Sequence, residues 1–138
     1  MGVSIYYTAR RDQGLTPHER GEVEGIADQG TRDLFGEIQR RLPQWREAGV
    51  VPAGLDDAAE VCEGLGFYRD AALEAGVVLA GSSKLSHGRC GTEVMLVQID
   101  HYVDLLADIR RAVPEAAWRV HIEDSDLVWR DGRYHLPQ

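Results

Sequence analysis

The sequence predicts an α+β fold: a ferredoxin-like split βαβ sandwich (βαββαβ), with two helices on one face of an antiparallel sheet and a short C-terminal β-hairpin. Three observations lead there. Alternation with period two opens the chain and returns at residues 117–126. Two long stretches, 17–42 and 92–113, carry apolar residues three and four apart. Two shorter apolar runs, 61–69 and 77–85, lie between those stretches. The order is therefore strand, helix, strand, strand, helix, strand, followed by the hairpin.

Each element has its own signal. In residues 3–9, Val3, Ile5 and Tyr7 alternate with Ser4, Tyr6 and Thr8, the mark of a half-buried strand. TPHE at 16–19 starts a helix: Thr16 caps, Pro17 suits the first turn and Glu19 completes a capping box. Val23, Ile26, Ala27, Leu34, Ile38 and Leu42 continue one face. Several glycines dilute this stretch, so it reads either as one helix broken near Gly30 or as two in succession, ending before Pro43, with Trp45 packed over that end. Residues 47–60 form a connection rich in glycine and small residues. VCEGLGFYR (61–69) places Val61, Leu65 and Phe67 on one side as a glycine-weakened strand, and VVLAGSSKL (77–85) as another, joined by a hairpin connection at DAALEAG.

The segment 92–113 carries Met95, Ile99, Tyr102, Val103, Leu106, Ile109 and Val113 along one helical face, and Pro114 stops it. Residues 93–97 taken alone would also suit a short strand; the longer periodicity favours helix. In 117–126, Trp118, Val120 and Ile122 face one way, and Arg119, His121 and Glu123 the other. RDGR between two short apolar runs reads as a tight hairpin turn.

The bulk properties bound the function. A chain of 138 residues fits one α+β domain spanning 1–138. It contains neither a membrane-length apolar run nor a signal segment, so the expected location is cytoplasmic. Cys62 and Cys90 are then two reduced thiols rather than a bridge. Arginine outnumbers lysine by 14 to one, a bias that points to a GC-rich bacterial coding sequence. The net charge of −8 repels phosphate backbones, which argues against nucleic-acid binding and suits a basic protein partner.

Three places carry candidate chemistry. In the loop SSKLSHGRCGTE (82–93), His87 and Cys90 have a spacing that zinc sites use, and a helix start just beyond would lower the Cys90 pKa. No second ligand pair follows, so no metal site is expected. Gly88, Arg89 and Gly91 precede that helix start as a weak anion loop, but the Gly-Lys-Ser/Thr of a P-loop is missing. The plainer account is a surface connection. EDSD at 123–126 offers clustered carboxylates for Mg²⁺ or acid/base work, or simply an acidic turn.

The third place depends on the fold. If the first strand lies beside 117–124, then Ser4, Tyr6, Thr8 and Arg10 share the open sheet face with Arg119, His121 and Glu123. Aromatic area beside a few hydrogen-bonding and charged groups makes a plausible binding surface. A solvated face, or one covered in a homodimer, is the plainer alternative.

No catalytic or dinucleotide signature is present and no cofactor is expected. The sequence therefore favours a non-catalytic binding or interaction module, with a protein partner or a second copy of itself and a version that neutralises a basic protein. A small-molecule ligand stays among the candidates. The alternative is a small enzyme on the open face, with His121 as acid or base and Arg119 or Arg10 as an anion clamp.

Overall fold

The computed structural model describes residues 2–85 and 89–137. Strand β1 (Ser4–Arg10) leads to helix α1 (Pro17–Glu47), strand β2 (Val77–Lys84), helix α2 (Thr92–Ala112) and strand β3 (Ala117–Ile122). Short strands β4 (Ser125–Asp126), β5 (Val128–Arg130) and β6 (Arg133–His135) follow. One antiparallel sheet has the order β2-β1-β3-β4, and β5-β6 forms a second, two-stranded sheet.

The alternation in β1 decides which way the sheet faces. Ile5, Tyr7 and Ala9 are buried with Val120 of β3, Leu34 and Ile38 of α1, and Tyr102 and Leu106 of α2. Ser4, Tyr6 and Thr8, on the opposite face, are only half-buried. Both helices thus cover one face of the sheet, because a sheet with one apolar face must bury it against another layer.

Helix α1 begins where Thr16 and Glu19 predict. The Thr16 hydroxyl accepts from the Glu19 amide at 3.0 Å, and Glu19 accepts from the Thr16 amide at 2.9 Å. Arg11 anchors this corner: it pairs with Glu19 at 2.7 Å and donates to the carbonyls of Gln13, Gly14 and Pro114. The Arg11 hydrogen bond, more than any other cause, pulls the Glu19 carboxyl down to about 2.

The expected break near Gly30 and stop before Pro43 do not occur; α1 is one helix of 31 residues. Gly30 is instead where α2 crosses. A Cβ there would collide with the Leu105 side chain, so the glycine permits the close approach. Pro43 removes one helical hydrogen bond. The helix continues because Leu42 and Trp45 are buried on the core side and Arg46 reaches the Leu55 carbonyl at 2.8 Å.

The ferredoxin-like prediction is met in part. β1 lies between antiparallel neighbours β2 and β3, with both helices on one side. The strand expected at 61–69 does not form, so 70–76 is not a hairpin connection either. One backbone bond, from the Tyr68 amide to the Ala80 carbonyl at 2.8 Å, reaches β2, and side chains serve Gly64, Leu65 and Gly66 in place of a ladder. Tyr102 Oη accepts from the Gly64 amide, Thr31 Oγ1 from the Leu65 amide and Tyr7 Oη from the Gly66 amide. Tyr7 Oη donates to the Gly66 carbonyl at 2.6 Å, and Ser83 Oγ donates to the Gly64 carbonyl at 2.7 Å. With its polar groups satisfied this way, the segment need not run straight along the β2 edge.

The C-terminal hairpin turns at Asp131 and Gly132, both with positive φ, as a two-residue type I′ turn requires. It packs against the last turns of α2. Arg110 lies 4.2 Å from the Trp129 ring centroid and donates to Tyr134 Oη at 3.1 Å. Residues 93–97 are helical, the first turns of α2.

Candidate functional site

The register of β1 against β3 brings the predicted open-face residues together. Tyr6 is opposite His121 and Thr8 is opposite Arg119. Directly opposed residues share a face, so period-two alternation aligns the set. The Tyr6 and His121 rings stack with centroids 5.0 Å apart and planes 17° apart.

The turn after β3 holds the imidazole. Glu123 has a positive φ of 49°, an uncommon conformation for a non-glycine residue, so β3 ends one residue before it. The turned-back Glu123 carbonyl accepts from His121 Nδ1 at 2.6 Å. That bond places the proton on Nδ1 and leaves Nε2 as the unengaged nitrogen. The Glu123 side chain accepts from the Ser4 amide at 2.9 Å, tying the turn to the start of β1.

The two arginines are partly engaged. Arg119 Nε donates to Asp126 Oδ1 at 3.0 Å, and Arg10 Nη2 lies 3.6 Å from Glu74 Oε2. Both pairs are largely exposed, and pairs of that kind are worth about 0–1 kcal/mol, so either cation can exchange its carboxylate for another. Chemically, the surface is an aromatic stack followed along the strands by the Thr8 hydroxyl opposite Arg119 and then by Arg10, with both guanidinium groups exchangeable.

Sequence reasoning missed three members of this surface. Asp126 belongs to β4, opposite His121, and pairs with Arg119. Ser82 is opposite Tyr6 on β2, and Tyr68 Oη lies 2.8 Å from its hydroxyl. The alternation of β2 would have found Ser82. Nothing local would have found Tyr68, which reaches the sheet from irregular chain.

The carboxylates of 123–126 do not gather into one site: Glu123 engages Ser4 and Asp126 engages Arg119. Among the described residues, no group of three or more His, Cys, Asp or Glu side chains could hold a metal ion.

In the loop before α2, His87 lies outside the described residues. Arg89 and Cys90 line a cleft of ≈ 430 Å³ with Gly49, Val50, Thr92 and Glu93. The expected lowering of the Cys90 pKa is reversed, because partial burial raises it. Gly91 caps α2 without a side-chain hydrogen bond, and its own amide is taken by the Val50 carbonyl at 2.8 Å. The thiol there is not activated.

Another cleft lies on the helix side. A groove of ≈ 380 Å³ between the helices is lined by Asp33, Glu37, Asp100, His101, Asp104 and Asp108, among others. His101 Nε2 and Glu37 Oε1 meet across it at 2.6 Å, and this bond, more than any other cause, lowers the Glu37 pKa. The sequence placed His101 on α2 but showed no partner for it. Tyr6, Thr8, Arg119 and His121 line neither this groove nor the cleft beside Cys90. No helix among the described residues is long and apolar enough to cross a membrane. No protein-family model, curated protein or solved structure matches this chain.

Proposed function

We propose that residues 1–138 form a single ferredoxin-like domain lacking one edge strand, and that it acts as a non-catalytic interaction module. Its open sheet face receives a protein partner. The observation that carries this reading is the Tyr6–His121 stack, with Arg119 at the next same-face pair along the strands and Arg10 at the one beyond it. Tyrosine and arginine are the side chains over-represented where interfaces draw their affinity, and the stack holds its aromatic area rigid before any partner arrives.

Charge supports the same reading. Glu37, Asp33, Asp100, Asp104 and Asp108 line the groove between the helices, on the far side from the sheet face, where Arg41, Arg111 and Arg133 pair with three of them and leave a net negative charge. On the sheet face, Arg10 and Arg119 offset Glu74 and Asp126. Within a chain of net charge −8, the docking face thereby stays close to neutral. An enzyme built around His121 would need a cleft that excludes water over Nε2. The clefts described above open elsewhere.

The test is a matched affinity purification from the cells that encode the chain. The native protein is compared with a Tyr6→Ala/Arg119→Ala variant whose circular dichroism is unchanged. The reading expects a stoichiometric protein held by the native face and lost from the variant. Equal recovery with both baits, or none with either at low salt, would sink it.

A further inference from the structure

Arg20, Val23 and Glu24 share one face of the opening turns of α1, because positions three and four apart are neighbours on a helix. That face borders the first residues of β2 and the irregular segment 67–70 across a cleft of ≈ 330 Å³. The cleft is lined on its apolar side by Leu15, Val23, Phe67, Val78 and Leu79. Val23, Val78 and Leu79 belong to the buried core, which keeps this floor rigid.

Four charged residues complete the lining, two of each sign: Arg20, Arg69, Glu24 and Asp70. Arg20 Nη2 donates to Asp70 Oδ2 at 2.9 Å and tethers α1 to the 3-10 turn at Asp70–Ala72. That bond uses one of five guanidinium N–H groups. The side chains of Glu24 and Arg69 have no hydrogen-bond or ion-pair partner among the described residues.

Small-molecule sites are concave, mostly apolar and about 300–1,000 Å³, with a few polar groups that set orientation. This cleft sits at the small end, too small for a nucleotide cofactor. Its floor would accept any compact hydrocarbon; its rim discriminates. A plain anion meets Glu24 and Asp70, and a plain cation meets Arg69 and Arg20. A molecule carrying both charges beside an apolar body can satisfy both signs at once.

We propose that this cleft binds a free α-amino acid with an apolar side chain of leucine or phenylalanine size. The carboxylate pairs with Arg69 and the remaining donors of Arg20, the ammonium pairs with Glu24, and the side chain rests on Phe67, Val78 and Leu79. The site does not rest on the sheet-face reading. Tyr68 is the one residue that lines the cleft and also touches the sheet face, through Ser82.

Isothermal titration calorimetry on the full chain tests this with L-leucine and L-phenylalanine as probes. 4-Methylpentanoate lacks the ammonium and isoamylamine lacks the carboxylate; both share leucine's side chain. Saturable binding of at least one amino acid is expected, with both truncated probes weaker by about tenfold or more. Glu24→Gln and Arg69→Gln, both at the rim, should each weaken amino-acid binding by a similar factor while leaving the melting temperature unchanged. The proposal is overturned if neither amino acid saturates by about 10 mM. It is equally overturned if 4-methylpentanoate or isoamylamine binds as well as leucine, or if the two variants bind like the native chain.

Discussion

Replacing Tyr7 with phenylalanine tests why residues 61–69 are not a strand. The Tyr7 side chain is 1% exposed, and burial pushes its hydroxyl up to about 12, so it is neutral at any ordinary pH. Its hydroxyl donates to the Gly66 carbonyl at 2.6 Å and accepts from the Gly66 amide at 3.2 Å. Phenylalanine keeps the ring in the core, including its edge contact with Phe67, and removes both bonds together with the 3.0 Å contact to the buried Ser83 hydroxyl. A buried group left without a partner costs about 1–3 kcal/mol. Gly66 as a whole is exposed, so water can reach part of what is lost. The expected total is therefore about 1–3 kcal/mol for the pair rather than twice that.

Urea denaturation of the native chain and the variant measures it. A lower midpoint with an unchanged slope is the expected result, together with faster hydrogen exchange at the Gly66 amide. Tyr6→Phe, one residue away on the open face, is the control and should stay within roughly 0.5 kcal/mol. A Tyr7→Phe cost below about 0.5 kcal/mol would mean that the hydroxyl does not hold the segment, and the explanation for the missing strand would fail.

Three further perturbations probe other parts of the structure. Gly30→Ala should destabilise: crowding Leu105 costs roughly 1–3 kcal/mol, against about 1 kcal/mol gained in helix propensity, and Leu105→Ala in the same chain should remove the crowding. A Gly30→Ala variant more stable than the native chain in urea would contradict the close crossing. Glu19→Gln can keep the capping box but loses the charge facing Arg11. The folded carboxyl is lowered from 4.5 to about 2, so its contribution is present above pH 4.5 and disappears as the pH falls toward about 2. The melting-temperature gap between native and variant should follow that course, and a gap constant from pH 7 to pH 2 would refute the assignment. With a thiol reagent at pH 8, Cys90, whose pKa is raised by partial burial, should react more slowly than free cysteine. Cys62, pushed up to about 12, should react only on unfolding, and rapid labelling of either thiol in the folded chain would contradict their burial.

The sequence was most informative where one element's own periodicity carries the information. The β1 alternation, the Thr16–Glu19 capping box, the long face of α2 and the Asp131–Gly132 turn are local patterns, and each appears where it was read. Because period two is rigid, it also implied that Tyr6, Thr8, Arg119 and His121 would share a face once β1 and β3 paired. The tertiary structure decided what depends on distant residues. Gly30 and Pro43 look like helix breaks from their own propensities, but Leu105 makes Gly30 a crossing point, and buried Leu42 and Trp45 carry the helix through Pro43. Segment 61–69 has apolar alternation yet no ladder, because hydroxyls from Tyr102, Thr31 and Tyr7, up to 59 residues away, take the amides of Gly64, Leu65 and Gly66, and among its described residues only Tyr68 bonds the β2 backbone, at Ala80. The His101–Glu37 bridge and the mixed-charge cleft beside Arg69 likewise exist only after packing. Helix propensity penalises glycine by about 1 kcal/mol and proline by about 3, and burying side chains such as Leu42 and Trp45, at about 1.5–3 kcal/mol each, offsets that, so packing prevails at both positions.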